Sequence, residues 1–205
     1  MLFRSPGRAA SSLIGLLLLG ALIFVAGSAL PYFAFTQERL GPYWFERGWL
    51  MVHIMGGMVA VLTGPEQLWL GLSDRRMGLP RVLGITSICG VAVGASGGYY
   101  LAIHTPFGWL FGAGLAGLAT AWIITTGLAY AAIRRSLYDQ HKEWMIRSYV
   151  VTFAFVTFRA LQPLVAKTGV GTELEQIAFL SWVCWTIPLL LTEAILQGRK
   201  IFAVR

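Results

Sequence analysis

The chain has little charge for its length of 205 residues. Only 12% of the residues are Asp, Glu, Lys or Arg, which is roughly half of what a soluble domain carries. With 57% hydrophobic residues and a mean hydropathy of +0.68, this composition excludes an ordinary soluble domain and indicates an integral membrane protein. Cysteine and histidine are also scarce. Cys89 and Cys184 lie in apolar runs without metal or redox spacing, and three scattered histidines predict no metal site.

A net charge of +7 would suggest a nucleic-acid partner in a soluble protein. Here the basic residues flank apolar runs, and no basic face with interleaved aromatics is left over. We therefore predict no nucleic-acid binding and interpret the Lys and Arg residues as topology signals.

Six apolar runs approach the roughly 20 residues that a helix needs to cross a bilayer. They are Ala9 to Thr36, Trp49 to Leu72, Val82 to Ile103, Phe107 to Ile133, Met145 to Ala166 and Ile177 to Gln197. The first run is longer than the apolar part of a signal peptide, so we expect a retained helix, bent near Pro31. Since every connection is short, the sequence predicts one all-α domain over residues 1–205, a transmembrane bundle of six helices.

The basic residues also predict the orientation of the helices. With the N-terminus inside, 12 Lys and Arg residues fall on the inner side, and only Arg39, Arg47 and Lys167 fall on the outer side. The positive-inside rule then places both termini in the cytoplasm. The loops from Gln37 to Arg47 and from Thr168 to Gln176 are expected to lie outside.

Small residues recur every four positions on the second and third predicted helices. The stripes are Gly56, Ala60 and Gly64, and Gly90, Gly94 and Gly98. Such stripes let helix backbones approach closely in lipid. They predict packing either inside the bundle or against another subunit, and the spacing does not decide between the two.

Polar residues within the apolar runs predict two layers. An outer layer contains His53, His104 and Arg159. We expect Arg159 to be buried on the inward face that also carries Ser148 and Thr152, in contact with carbonyls, Gln162, an acid or a bound anion, because a charge facing lipid is costly. The inner layer includes Glu143, Glu193 and the candidate lipid- or anion-binding residues Arg75, Arg76, Arg81, His141 and Arg147.

Three segments carry a resemblance to a known family. They are HIMGGMVAVLTGPEQ at residues 53–67, RVLG at 81–84 and HKEWMIRSYVVTFAFVTFR at 141–159. Together they resemble a bacterial family of multi-helix membrane proteins known only as a domain of unknown function, over roughly residues 45–165. The resemblance implies six or seven helices in the bacterial inner membrane, but no activity. Pro80 stands where the family pattern has a His before Arg81, so a cofactor held through that His would be lost here.

Three hypotheses for the function follow. The first is a non-catalytic scaffold or accessory subunit of a larger membrane complex, since no nucleophile, metal or nucleotide motif is recognisable. The second is a b-type haem protein, in which His53 and His104 approach one porphyrin and Arg159 pairs with a propionate. The third is a protein that binds or processes an anionic lipid through His141, Arg147 and the turn containing Arg75, Arg76 and Arg81.

Overall fold

Helices make up all the regular structure in the described part of the chain. The computed structural model describes residues 8–72 and 79–203. Its helices are α1 Arg8–Phe24, α2 Gln37–Leu40, α3 Arg47–Leu72, α4 Leu79–Ile103, α5 Trp109–Arg134, α6 Tyr138–Thr152, α7 Ala154–Thr168 and α8 Glu173–Ala203. Five helices are long and apolar enough to cross a membrane, and the bent pair of α6 and α7 makes a sixth if it counts as one span. The predicted all-α class is confirmed, and the predicted six spans agree with the five or six that the described helices allow. The orientation stays a prediction.

The chain divides into two compact units, Met1–Leu101 and Ala102–Arg205. The first unit contains α1 to α3 and nearly all of α4, and the second contains α5 to α8. Each unit is described by itself below, and a single domain over the whole chain stays a prediction.

The first span changes its helix geometry close to Pro31. Proline has no N–H to donate to the preceding turn, so regular α-helical bonding cannot continue through it. After α1 the chain forms a π-helical turn, Val25–Ala29, and a 3-10 turn, Leu30–Ala34. The 3-10 turn ends at Phe35, which has a left-handed φ of 52°. The irregular segment therefore lies where the sequence predicts a bend.

The two glycine stripes pack against each other inside the first unit. A Cβ added to Gly56 would collide with the backbone of Gly94 and would lie 2.6 Å from the Gly90 carbonyl oxygen. A Cβ at Gly90 would lie 3.0 Å from the Gly56 carbonyl oxygen. His53 supports the same contact, because its Nδ1 donates to the Gly94 carbonyl oxygen at 2.7 Å. Of the two readings of the stripes, these contacts favour packing within the unit.

Gly97 extends this contact, although the predicted stripe does not include it. A Cβ at Gly97 would lie 2.8 Å from the His53 backbone nitrogen and 2.9 Å from the Trp49 carbonyl oxygen. A helix has 3.6 residues per turn, so a contact face advances by steps of four and three and not by four alone. Gly64 and Gly98, the ends of the predicted stripes, are buried as well.

In the second unit, α5 packs against both α6 and α8. A Cβ at Gly114 of α5 would collide with the Ser181 side chain of α8, whose own Cβ would be 2.8 Å away. The Trp182 indole of α8 donates to the Leu110 carbonyl oxygen at 3.2 Å. Close backbone approach therefore joins these two helices too.

The predicted fifth span is correct in position but wrong as a single helix. It starts earlier than Met145, at Tyr138, and a bend of 41° separates α6 from α7 at Phe153. The hydroxyl of Thr152 donates to the Ser148 carbonyl oxygen at 2.8 Å, and that of Thr157 donates to the Phe153 carbonyl oxygen at 3.3 Å. Such bonds from hydroxyls to the preceding turn often accompany a bend, although Thr120 and Thr125 make the same bonds within the continuous helix α5.

Candidate functional site

Helix α6 is joined to α5 by polar side chains of its HKEWMIRS motif and by Thr152 one turn later. The Trp122 indole donates to Thr152 Oγ1 at 2.7 Å, the hydroxyls of Thr126 and Ser148 lie 2.7 Å apart, and His141 Nδ1 lies 2.8 Å from the Ala129 carbonyl oxygen. A carbonyl oxygen only accepts, so His141 Nδ1 carries the proton. These three bonds hold one face of α6 against α5 and direct the other face, with Glu143 and Arg147, toward α8.

Arg147 is the charged residue at the centre of that second face, and only 6% of it is exposed. Its Nε donates to Glu193 Oε2 of α8 at 2.7 Å, and its Nη2 lies 2.6 Å from the same oxygen. Its Nη1 is 3.5 Å from Glu143 Oε2, and its guanidinium carbon lies 4.7 Å from the centre of the Trp144 ring. A buried guanidinium needs such partners to offset its lost hydration.

A second cation completes the cluster nearer the helix ends. Lys200 Nζ of α8 donates to Glu143 Oε2 at 2.8 Å, and the Lys200 side chain is 53% exposed. Gln197 Nε2 donates to Glu193 Oε1 at 2.7 Å. We call Glu143, Arg147, Glu193 and Lys200 the charge quartet; it has two cations and two carboxylates, and so no net charge.

The charge quartet lines a largely open groove of about 650 Å³ on the surface of α5, α6 and α8, which we call the cavity. Its other lining residues are Thr125, Gln140, Trp144, Trp185, Thr186, Leu189, Leu190 and Gln197. Its volume is within the range of small-molecule sites, but the groove is open along one side and not enclosed.

The cavity lining changes from charged to apolar along α8. Lys200, Gln197 and Glu193 occupy its C-terminal part, and Leu190 and Leu189 follow toward the middle of the helix. At 1.5 Å per residue, Leu189 lies about 16 Å along the axis from Lys200. The cavity therefore has a polar end and an apolar end, as an amphiphile does.

A known family covers most of the chain, including the α6 motif. The family described as a predicted membrane protein (DUF2306) matches residues 50–196. The chain belongs to this family. The resemblance based on the three motifs is thus confirmed, and the match extends it from α7 into α8. No curated protein matches the chain, and no solved structure does. Membership supports a membrane location, and the bacterial inner membrane stays a prediction.

The predicted outer-layer residues are distributed over both units. His53 lies in α3 of the first unit, while His104 is exposed and belongs to the second. The prediction that His53, His104 and Arg159 share a site therefore stays a prediction.

Arg159 itself contradicts the expectation of a buried side chain. It is exposed, and its Nη1 donates to Gln162 Oε1 at 3.3 Å. Gln162 was among the expected partners, but the inward position is wrong. The prediction treated Ser148, Thr152 and Arg159 as one continuous helical face, whereas the bend at Phe153 separates Arg159 from the buried face of α6.

The predicted lipid- or anion-binding residues have different outcomes. Arg75 and Arg76 lie outside the described residues. Arg81 is exposed in the first unit, His141 donates to α5, and Arg147 lines the cavity.

Lys200 was interpreted only as a topology signal. Its signal in the sequence is the spacing of Glu193, Gln197 and Lys200, which repeats at i, i+4 and i+7 and so defines one polar helix face.

Proposed function

We propose that the protein binds a membrane amphiphile in the cavity beside Arg147. The polar head would lie at the Lys200 and Glu143 end, and the apolar chain would run along α8 toward Leu189. The observation that carries this proposal is the change of the cavity lining from charged to apolar over about 16 Å of one helix face. If the positive-inside rule holds, the polar end faces the cytoplasm.

The exposed side chains at the two ends support this proposal. Lys200 is 53% exposed, so a head group can approach its ammonium from the membrane surface. Leu190 is 65% exposed at the apolar end, where an acyl chain would find an apolar neighbour. The buried Arg147 lies between them and fixes the position of both carboxylates.

The contacts of Arg147 modify the earlier hypothesis of an anionic lipid. An anion site needs an accessible cation, whereas only 6% of Arg147 is exposed and its described contacts direct it to Glu193, Glu143 and the Trp144 ring. Lys200 is the more suitable contact for a head group, because it lies at the exposed end of the cavity. Arg147 is then a positioning residue for the two carboxylates.

The other two hypotheses have less support. A glycine stripe that faced another subunit would support the scaffold hypothesis, but the described contacts of the stripes are made within the first unit. The haem hypothesis requires His53 and His104 at one porphyrin, and this stays a prediction. A Soret band in the visible absorption spectrum of the purified protein would favour the haem hypothesis over ours.

Native mass spectrometry of the protein released from detergent micelles tests the proposal. The wild type should retain phospholipid, and Lys200→Gln should retain about tenfold less, since a hydrogen bond to a charged group contributes about 1.5–3 kcal/mol. Arg199→Gln is the matched control, because Arg199 is exposed on the same helix and does not line the cavity. Equal retention by both variants, or no retained lipid in the wild type, would contradict the proposal.

A further inference from the structure

The charge balance of the cavity indicates which head group it accepts, and this inference rests on the proposed function. An anionic head group would add a negative charge to a charge quartet that is already neutral. A zwitterionic head group adds none, and it can offer a phosphate to a cation and an ammonium to a carboxylate. We infer that the cavity selects a zwitterionic phospholipid with a primary ammonium, of the phosphoethanolamine type.

Lys200 is placed to bind the phosphate. An ammonium has three N–H donors, and the described contact of Lys200 uses one of them on Glu143 Oε2 at 2.8 Å. The side chain is 53% exposed at the polar end of the cavity. A phosphate oxygen that approaches from the membrane surface can therefore take a second donor while the bond to Glu143 is kept.

Glu143 is placed to bind the ammonium. Its described contacts with Lys200 and Arg147 both use Oε2, which leaves Oε1 as an acceptor within the described part of the cavity. One quarter of the Glu143 side chain is exposed, against 7% for Arg147. The phosphate and the ammonium of one head group are joined by a two-carbon link and so stay close together. Their protein partners must therefore be neighbours too, as Lys200 and Glu143 are.

The aromatic residue beside these groups argues against a choline head group. Quaternary ammonium groups are recognised on open aromatic faces, since they have no N–H to donate. The Trp144 ring is already in contact with the Arg147 guanidinium, at 4.7 Å from the ring centre. The other aromatic residue of the lining, Trp185, lies about 22 Å along α8 from Lys200, too far to meet the same head group. The remaining acceptor is a carboxylate oxygen, which favours a group that donates hydrogen bonds.

A competition experiment tests this inference. Protein in detergent is given equal amounts of phosphatidylethanolamine and phosphatidylglycerol, and the bound lipids are counted by native mass spectrometry. The wild type should prefer phosphatidylethanolamine by about tenfold, the value of one charge-assisted hydrogen bond. Glu143→Gln should lose or reverse this preference, because it removes the ammonium partner and leaves a net positive cavity. Asp139→Asn, one turn earlier on the exposed face of α6, should keep it.

Lys200→Gln should change the preference between the two lipids in the direction opposite to Glu143→Gln. It leaves the cavity net negative, so it should weaken both lipids but phosphatidylglycerol more. Three results would overturn the zwitterionic assignment while leaving lipid binding intact. The wild type could prefer phosphatidylglycerol, it could show no preference, or Glu143→Gln could keep the preference of the wild type. A wild type that retains neither lipid would contradict this inference together with the proposed function.

Discussion

Gly56→Ala is expected to destabilise the first unit by about 1–3 kcal/mol, as overpacking of a tight contact does. The added Cβ would lie 2.6 Å from the Gly90 carbonyl oxygen and would overlap the Gly94 backbone. Backbone atoms cannot turn aside as a flexible side chain can, so α3 and α4 must separate and weaken the His53 bond to Gly94. In lipid this close packing is what holds helices together. Thermal unfolding in detergent should show the loss as a lower Tm.

The neighbouring residue provides a matched control for this prediction. A Cβ at Gly57, on the same helix, would have no atom within 4 Å. Gly57→Ala should therefore leave the Tm unchanged or raise it slightly, since alanine favours the helix. If Gly56→Ala and Gly57→Ala had equal Tm values, the described contact between α3 and α4 would be wrong.

Arg147→Met is expected to destabilise the second unit by about 2–3 kcal/mol, from the loss of hydrogen bonds to charged groups. The substitution leaves Glu193 and Glu143 facing the cavity without their shared guanidinium. The loss is smaller than for a fully buried pair, because 43% of the Glu193 side chain is exposed and water can hydrate it. The Tm in detergent should fall clearly.

A double substitution distinguishes two contributions to this loss of stability, the lost ion pair and the changed side-chain volume. Arg147→Met combined with Glu193→Leu should recover part of the lost stability, because one of the two carboxylates left without Arg147 is then removed. Lys142→Met, at an exposed position of the same helix, should change the Tm little. If the effects of Arg147→Met and Glu193→Leu simply add, the two side chains are not coupled and the charge quartet does not exist as described.

The sequence predicted five of the spans well because each of these five is long and apolar. The span over α3 was located within two residues at its start, since the run from Trp49 to Leu72 has clear limits. The glycine contact could also be predicted from spacing, although only a 3.6-residue period would have included Gly97. Length and periodicity are local properties, and therefore a single sequence reveals them.

The cavity could be predicted only in part, because it depends on which faces of α5, α6 and α8 pack against each other. Arg147 and Glu193 were placed in one inner layer from their depth, but depth does not reveal that they form an ion pair. Arg159 was misplaced because the chain bends at Phe153, and a hydropathy pattern does not show such a break. Lys200 was overlooked since a basic residue at a helix end also serves as a topology signal.

The most direct test of the central claim is an experimental structure of the protein in phosphatidylethanolamine nanodiscs, with a bound antibody fragment to aid image alignment. We predict density for one phospholipid in the cavity, with its head group against Lys200 and Glu143 and an acyl chain along Leu189. The ion pair between Arg147 and Glu193 should persist beside it. A cavity filled by side chains of this chain, or lipid density confined to the outer surface of α8 while the cavity is empty, would contradict the claim.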